Sequence, residues 1–241
     1  MNRREWMNVL GVGGAGVVAG GACAAADGHD GPMAGGKYTA AAAGFSHHFC
    51  GIHAAKNNKN FQIVAQHYCL VHTDDLAGKV HQCILFDSHE KGAKLIGIEY
   101  IVSDALYQEL PPEEKKYWHP HAYEVMGGGL IAPGLDKKDE DAFMGVIMNT
   151  WGKTWHTWPD PKTKMPVGPP LLMWSFNADD QVDPKVLAAR DQTFGVNTAK
   201  IREERAKTFG FEVPQLPFPK SMDEAGRRWT TSGPDEPVKK K

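Results

Sequence analysis

The chain has 241 residues, 41% hydrophobic and 23% charged, with a formal net charge of -2, which is enough chain for one sizeable core. No basic stripe interleaved with aromatic residues occurs, so nucleic acid is excluded as the expected partner, and the closing Lys239, Lys240 and Lys241 follow acidic, Pro-containing sequence that reads as a solvated tail. Seven Trp and 16 Pro argue for an aromatic-rich, loop-rich fold and against a simple helical bundle.

Arg3 and Arg4 precede a charge-free Gly/Ala/Val stretch from Val9 to Ala26, and Ala24-Ala25-Ala26 before Asp27 offers a small-residue cleavage site. The pattern is that of a twin-arginine signal peptide over 1–26, which makes the Tat export machinery a partner and the periplasm, or secretion, the destination. A lipoprotein box ending at Cys23 is the competing reading, disfavoured because Gly20 stands where a larger aliphatic residue is usual. Residues 27–44 read as a linker, 45–213 as the domain, and 214–241 as a loosely ordered tail.

From Phe45 to Asn60 the chain carries His47, His48, Cys50 and His53, then the turn-prone Lys56-Asn57-Asn58-Lys59-Asn60. Three strands are predicted next. Gln62 to Val71 places Ile63, Ala65, His67, Cys69 and Val71 on one face, and Val80 to Asp87 does the same for His81, Cys83, Leu85 and Asp87. Lys94 to Val102 is rich enough in apolar residues to be buried on both faces, and Glu99 in its middle then needs a partner. The intervening connections suit hairpins, so the strands form an antiparallel meander.

Ser103 and Asp104 cap a short helix through Tyr107, and Leu110-Pro111-Pro112 precedes a second helix over Glu113 to Trp118. That helix delivers His119-Pro120-His121, with Glu124 one turn of chain beyond. An amphipathic helix is predicted from about Lys138 to Trp151, with Trp151, Trp155 and Trp158 as packing residues. Leu171 to Phe176 is a further strand, and helices start at Asp183-Pro184 and Thr198. The expected fold class is α+β: a mostly antiparallel sheet, a meander of at least three strands, with packed helices in a single domain.

Imidazole, thiolate and carboxylate offer lone pairs to zinc, iron or copper. His67, His119, His121 and Glu124 are the leading ligand candidates, with Glu124 also the candidate catalytic base. Glu99, Cys69, Cys83, His48 and Cys50 rank behind them. The spacing matches no finger or zincin pattern. Cys69 and Cys83 are alternatively buried hydrophobes or a disulfide, since neighbouring strands bring them within range. His119 and His121 are alternatively core histidines satisfied by Glu99 and Glu124. No G-x-S-x-G elbow or phosphate-cradling loop is present.

At His48-Phe49-Cys50, Gln66-His67-Tyr68-Cys69, Phe86-Asp87-Ser88, LIGIEYIVS, LPPEE, WHPHAYEV and Trp151-Gly152-Lys153, the sequence resembles the plant oil body-associated protein family, also called DUF1264, over roughly residues 45 to 205. The resemblance places His48, Cys50, His67, Cys69, Cys83, Glu99, His119, His121 and Glu124 on matching positions. His53 and His81 do not match, which lowers them as ligands, and Gln66 replaces a histidine. It implies association with lipid droplets and brings no settled activity. Two functional expectations stand: a metal-binding protein, which includes a metalloenzyme, or a non-enzymatic protein of a lipid or envelope surface, which an exposed apolar patch would favour.

Overall fold

The computed structural model describes residues 44–71 and 79–210. The signal, linker and tail expected at the two ends lie almost wholly outside the described residues. Four consecutive strands, β1 (His47–Ala55), β2 (Asn58–Val71), β3 (Val80–Phe86) and β4 (Leu95–Ser103), pair antiparallel in chain order. Short helices α1 (Asp104–Glu109) and α2 (Pro112–Lys115) lead to β5 (His119–Pro120) and α3 (Ala122–Met126). After α4 (Lys137–Ile147) come β6 (Thr150–His156) and β7 (Leu171–Trp174), then α5 (Pro184–Phe194) and α6 (Thr198–Phe209).

The sheet meets itself. β6 pairs with β4 from Gly97 opposite His156 to Ser103 opposite Thr150, and β7 joins β6 to β1. The order β4-β3-β2-β1-β7-β6 thus returns to β4 as a closed six-stranded antiparallel barrel, and β5 shares the second edge of β6 with β7. This corrects the expected open meander with packed helices. Two strands make the difference. β1 reads HHFCGIHAA, with few β-branched residues to announce it. β6 alternates Thr150, Gly152, Thr154 and His156 with Trp151, Lys153 and Trp155, a period of two that a helix running to Trp151 cuts short. Closure also needs a bare backbone, because a Cβ on Gly97 would lie 2.1 Å from the carbonyl oxygen of Trp155.

Strand alternation then decides what faces inward. Cys69, Cys83, Glu99 and Thr154 stand opposite one another across β2, β3, β4 and β6, and Phe49, His67, Leu85, Gly97 and His156 form the neighbouring row. All are buried. The outer face of β4 is not, so the expectation of a strand buried on both faces is corrected too: Ile98 and Tyr100 are 38% and 42% exposed.

Helix α4 lays Met144 and Ile147 on the core beside Val125 and Leu130, and Val186 and Leu187 of α5 pack with Ile52 and Trp174. The fully buried side chains among these contribute roughly 1.5–3 kcal/mol each, and the half-buried Val186 and Leu187 less. Two buried arginines hold the turn after α3: Arg190 donates to the carbonyls of Gly128 and Gly129, and Arg205 to those of Val125 and Leu130.

Candidate metal centre

Glu99 is the hub. Its place on β4 aims the carboxyl into the barrel, where burial alone would push its pKa up; contacts with His119, His121 and His67 outweigh that and hold it well below the usual carboxylate range. Oε2 lies 2.8 Å from Nε2 of His67 on β2. Oε1 lies 3.3 Å from Nε2 of His121 and 3.4 Å from Nε2 of His119. His119 reaches it from β5, paired opposite Gly152, and His121 follows at the start of α3. The proline between them keeps the backbone extended at His119, so the two rings converge.

Gly152 makes this convergence possible. A Cβ there would lie 2.1 Å from Glu99 Oε1, 2.6 Å from His121 Nε2 and 2.8 Å from His119 Nε2. Any side chain at this position would force the three donors apart.

The second ring nitrogen of His121 fixes its proton. Thr150 gives its hydroxyl proton to the carbonyl of Ile147 at 2.6 Å, so its oxygen, 2.8 Å from His121 Nδ1, accepts from that ring. With Nδ1 so committed, Nε2 of His121 meets the Glu99 carboxylate in one of two ways: as a donor, when the ring carries a second proton, or as a lone pair, when a cation sits between the two. His119 is odder still, since neither of its ring nitrogens has a hydrogen-bond partner among the described residues. Burial holds its pKa down to about 4, so the ring is neutral at physiological pH with its lone pair available.

A row of imidazoles extends from Glu99. His67 Nε2 is 3.2 Å from His53 Nε2, and His53 Nδ1 is 3.1 Å from His156 Nε2. Burial keeps His53 well below its ordinary pKa and His156 down to about 3. Two trios, His53, His67 and Glu99, and Glu99, His119 and His121, hold their donor atoms within 4.8 Å of one another.

Of the expected ligands, the structure brings together His67, His119, His121 and Glu99. Glu124 Oε1 stands 3.9 Å from His121 Nε2. Burial first, and the Glu99 charge second, push its pKa well up, so it carries a proton where an ordinary glutamate has none. It also lines a cleft of about 660 Å³ with Ile52, Phe176 and Leu187. Cys69 and Cys83, directly opposite in register, form a disulfide, which takes both sulfurs out of the ligand set. His48 and Cys50 do not join the cluster. His48 stacks on Tyr68 and pairs with Gln66, while Cys50 meets Gln66 through its sulfur and Ile131 through its backbone, its thiol pushed up by burial to about 11. Sequence reasoning ranks His53 low and passes over His156 and the steric role of Gly152. Period-two spacing along β1 and β6 is the signal that finds them, once both are recognised as strands.

Every residue of the cluster lies within residues 40–208, which match the family described as "Protein of unknown function (DUF1264)". The chain belongs to the DUF1264 family. Oil body-associated protein 1B of Arabidopsis thaliana is 34% identical over 167 residues, 69% of this chain and 68% of that protein. Oil body-associated proteins 1A and 2A of Zea mays are 36% and 34% identical over 166 and 179 residues, covering 68% and 73% of this chain and 68% of each relative. No solved structure matches the chain. These DUF1264 relatives correct the expected periplasmic or secreted destination, because they are plant proteins named for oil bodies. The Arg3-Arg4 pair and Cys23, on which the export and anchoring expectations rest, lie outside the described residues.

Proposed function

We propose that this DUF1264 protein binds a divalent transition metal inside its barrel, through Glu99, His119 and His121. The supporting observation is that Nε2 of His121 and Nε2 of His119 converge on the same Glu99 oxygen, with Nδ1 of His121 anchored on Thr150. Donor separations of 3.3 and 3.4 Å are those of ligands sharing one ion at bond lengths of about 2.0–2.1 Å. Imidazole and carboxylate suit zinc, iron or copper, and Thr150 supplies the outer hydrogen bond that orients a metal-bound histidine. A bound ion supplies a Lewis acid at this place. Glu124, on the cleft wall 3.9 Å from His121 Nε2, is the acid–base group nearest that ion.

The test exploits the unpartnered ring of His119. His119→Leu removes a buried imidazole whose Nε2 stands 3.4 Å from Glu99 Oε1 and makes no closer hydrogen bond, so the metal-free protein keeps its stability within about 1 kcal/mol. Metal content falls by one ion per chain, and chelator lowers the melting temperature of wild type far more than that of the variant. A wild type that stays metal-free after exposure to zinc, iron and copper would sink the proposal.

A second reading concerns the outside of the barrel. Tyr68, Ile84, Ile98 and Trp155 face one another across four strands, beside exposed Leu95 and Tyr100. Such a patch suits a lipid surface, the association printed in the relatives' names. No described helix is long and apolar enough to cross a membrane. Ile98→Asp combined with Tyr100→Asp should cut co-flotation of the chain with oil droplets several-fold while metal content is unchanged. Equal flotation of the variant and wild type would remove this patch from consideration.

A further inference from the structure

We propose that Glu99 bridges two ions, the second held by His53 and His67 on the other oxygen of the same carboxylate. This rests on the first ion at Glu99, His119 and His121. The two carboxylate oxygens serve opposite groups: Oε1 faces His119 and His121, and Oε2 faces His67. His67 Nε2 is in turn 3.2 Å from His53 Nε2. Separations of 2.8 Å from carboxylate to imidazole and 3.2 Å between imidazoles match neighbouring ligands of one ion at bond lengths of about 2.0–2.1 Å.

The proton allotment prepares the second group as it does the first. In the metal-free protein the contact to Oε2 needs a proton on His67 Nε2, which leaves His53 Nε2 as an acceptor and its proton on Nδ1, directed at His156 Nε2. His53 is thereby anchored from behind by His156, as His121 is by Thr150, with its Nε2 lone pair turned inward. Uptake of the second ion replaces the His67 Nε2 proton, which leaves to solvent. A carboxylate bridging two ions about 4 Å apart presents both to one oxygen-bearing ligand. The cleft at Glu124 lies beside the His121 side of the pair.

The experiment uses the full chain, stripped with chelator and titrated with Zn²⁺, beside a sample loaded with Mn²⁺ for electron paramagnetic resonance. Wild type should saturate at two Zn²⁺ per chain and give an exchange-coupled Mn²⁺ spectrum; His53→Ala and His119→Leu should each saturate at one, with uncoupled spectra. Saturation of wild type at one ion overturns the bridge and leaves the first site standing. No binding at all overturns both. Should His53→Ala not fold, the stoichiometry and spectrum of wild type decide the matter alone.

Discussion

Lowering the pH of the metal-free protein from 7 to 4 should remove on the order of 5 kcal/mol of stability, beginning near pH 6.5 and not in the carboxylate range. Burial keeps His53 well below its ordinary 6.5, His119 at about 4 and His156 at about 3. As pH falls through 6.5 the unfolded chain takes up protons on these rings and the folded protein does not, so stability declines until the folded values are reached. Glu99 acts in the same direction below 4.5, because its folded pKa is depressed. Glu124 acts oppositely: its folded pKa is raised, so it costs stability above 4.5 and that cost fades as pH falls toward 4.5. Three bases against one acid leave a net loss toward acid. Urea unfolding at pH 7, 6, 5 and 4 measures the slope, and His119→Leu should flatten it by about one proton. A stability that stays level down to pH 4.5 would show that these rings are not buried as neutral bases.

Arg205→Ala should cost about 3–5 kcal/mol, the range for breaking a buried, hydrogen-bonded charge. The guanidinium is 1% exposed and donates to Val125 O at 2.6 Å, Leu130 O at 2.7 Å and Glu140 Oε1 at 3.1 Å. Its loss strands the Leu130 carbonyl and takes one of two donors from that of Val125, which keeps the N–H of Gly128, at the turn that follows Glu124. Lysine should rescue little, since one ammonium cannot span the positions that a planar fork reaches. The readout is the urea midpoint together with metal content. An Arg205→Ala midpoint within 0.5 kcal/mol of wild type would mean that the turn finds other partners.

Much of this was legible locally. Asp183-Pro184 does start a helix, with Asp183 accepting from Lys185, and Ser103 caps α1 through Leu106. The three central strands follow from alternation, which brings Cys69 and Cys83 within range and leaves open whether they are ligands, buried hydrophobes or a disulfide. Closure was not legible, because the β4–β6 seam joins residues about fifty positions apart and depends on Gly97, whose role is to leave space. The site shows the same division. His119 and His121 announce themselves by spacing, whereas Glu99 gains its rank only when β2, β5 and the start of α3 bring their rings to one carboxylate. Gly152 carries no chemistry to read, and its importance exists only as an excluded side chain.

The seam has a kinetic consequence. Glu99 lies on one side of it, and Gly152, His119 and His121 on the other, so no hairpin formed early in folding contains the centre. The β1–β4 hairpins can form from near neighbours, but the seam must await a long loop closure, which is the slower event. An ion captured there cannot seed the barrel; it can only act as a latch, slowing the reopening of a ring that is already shut.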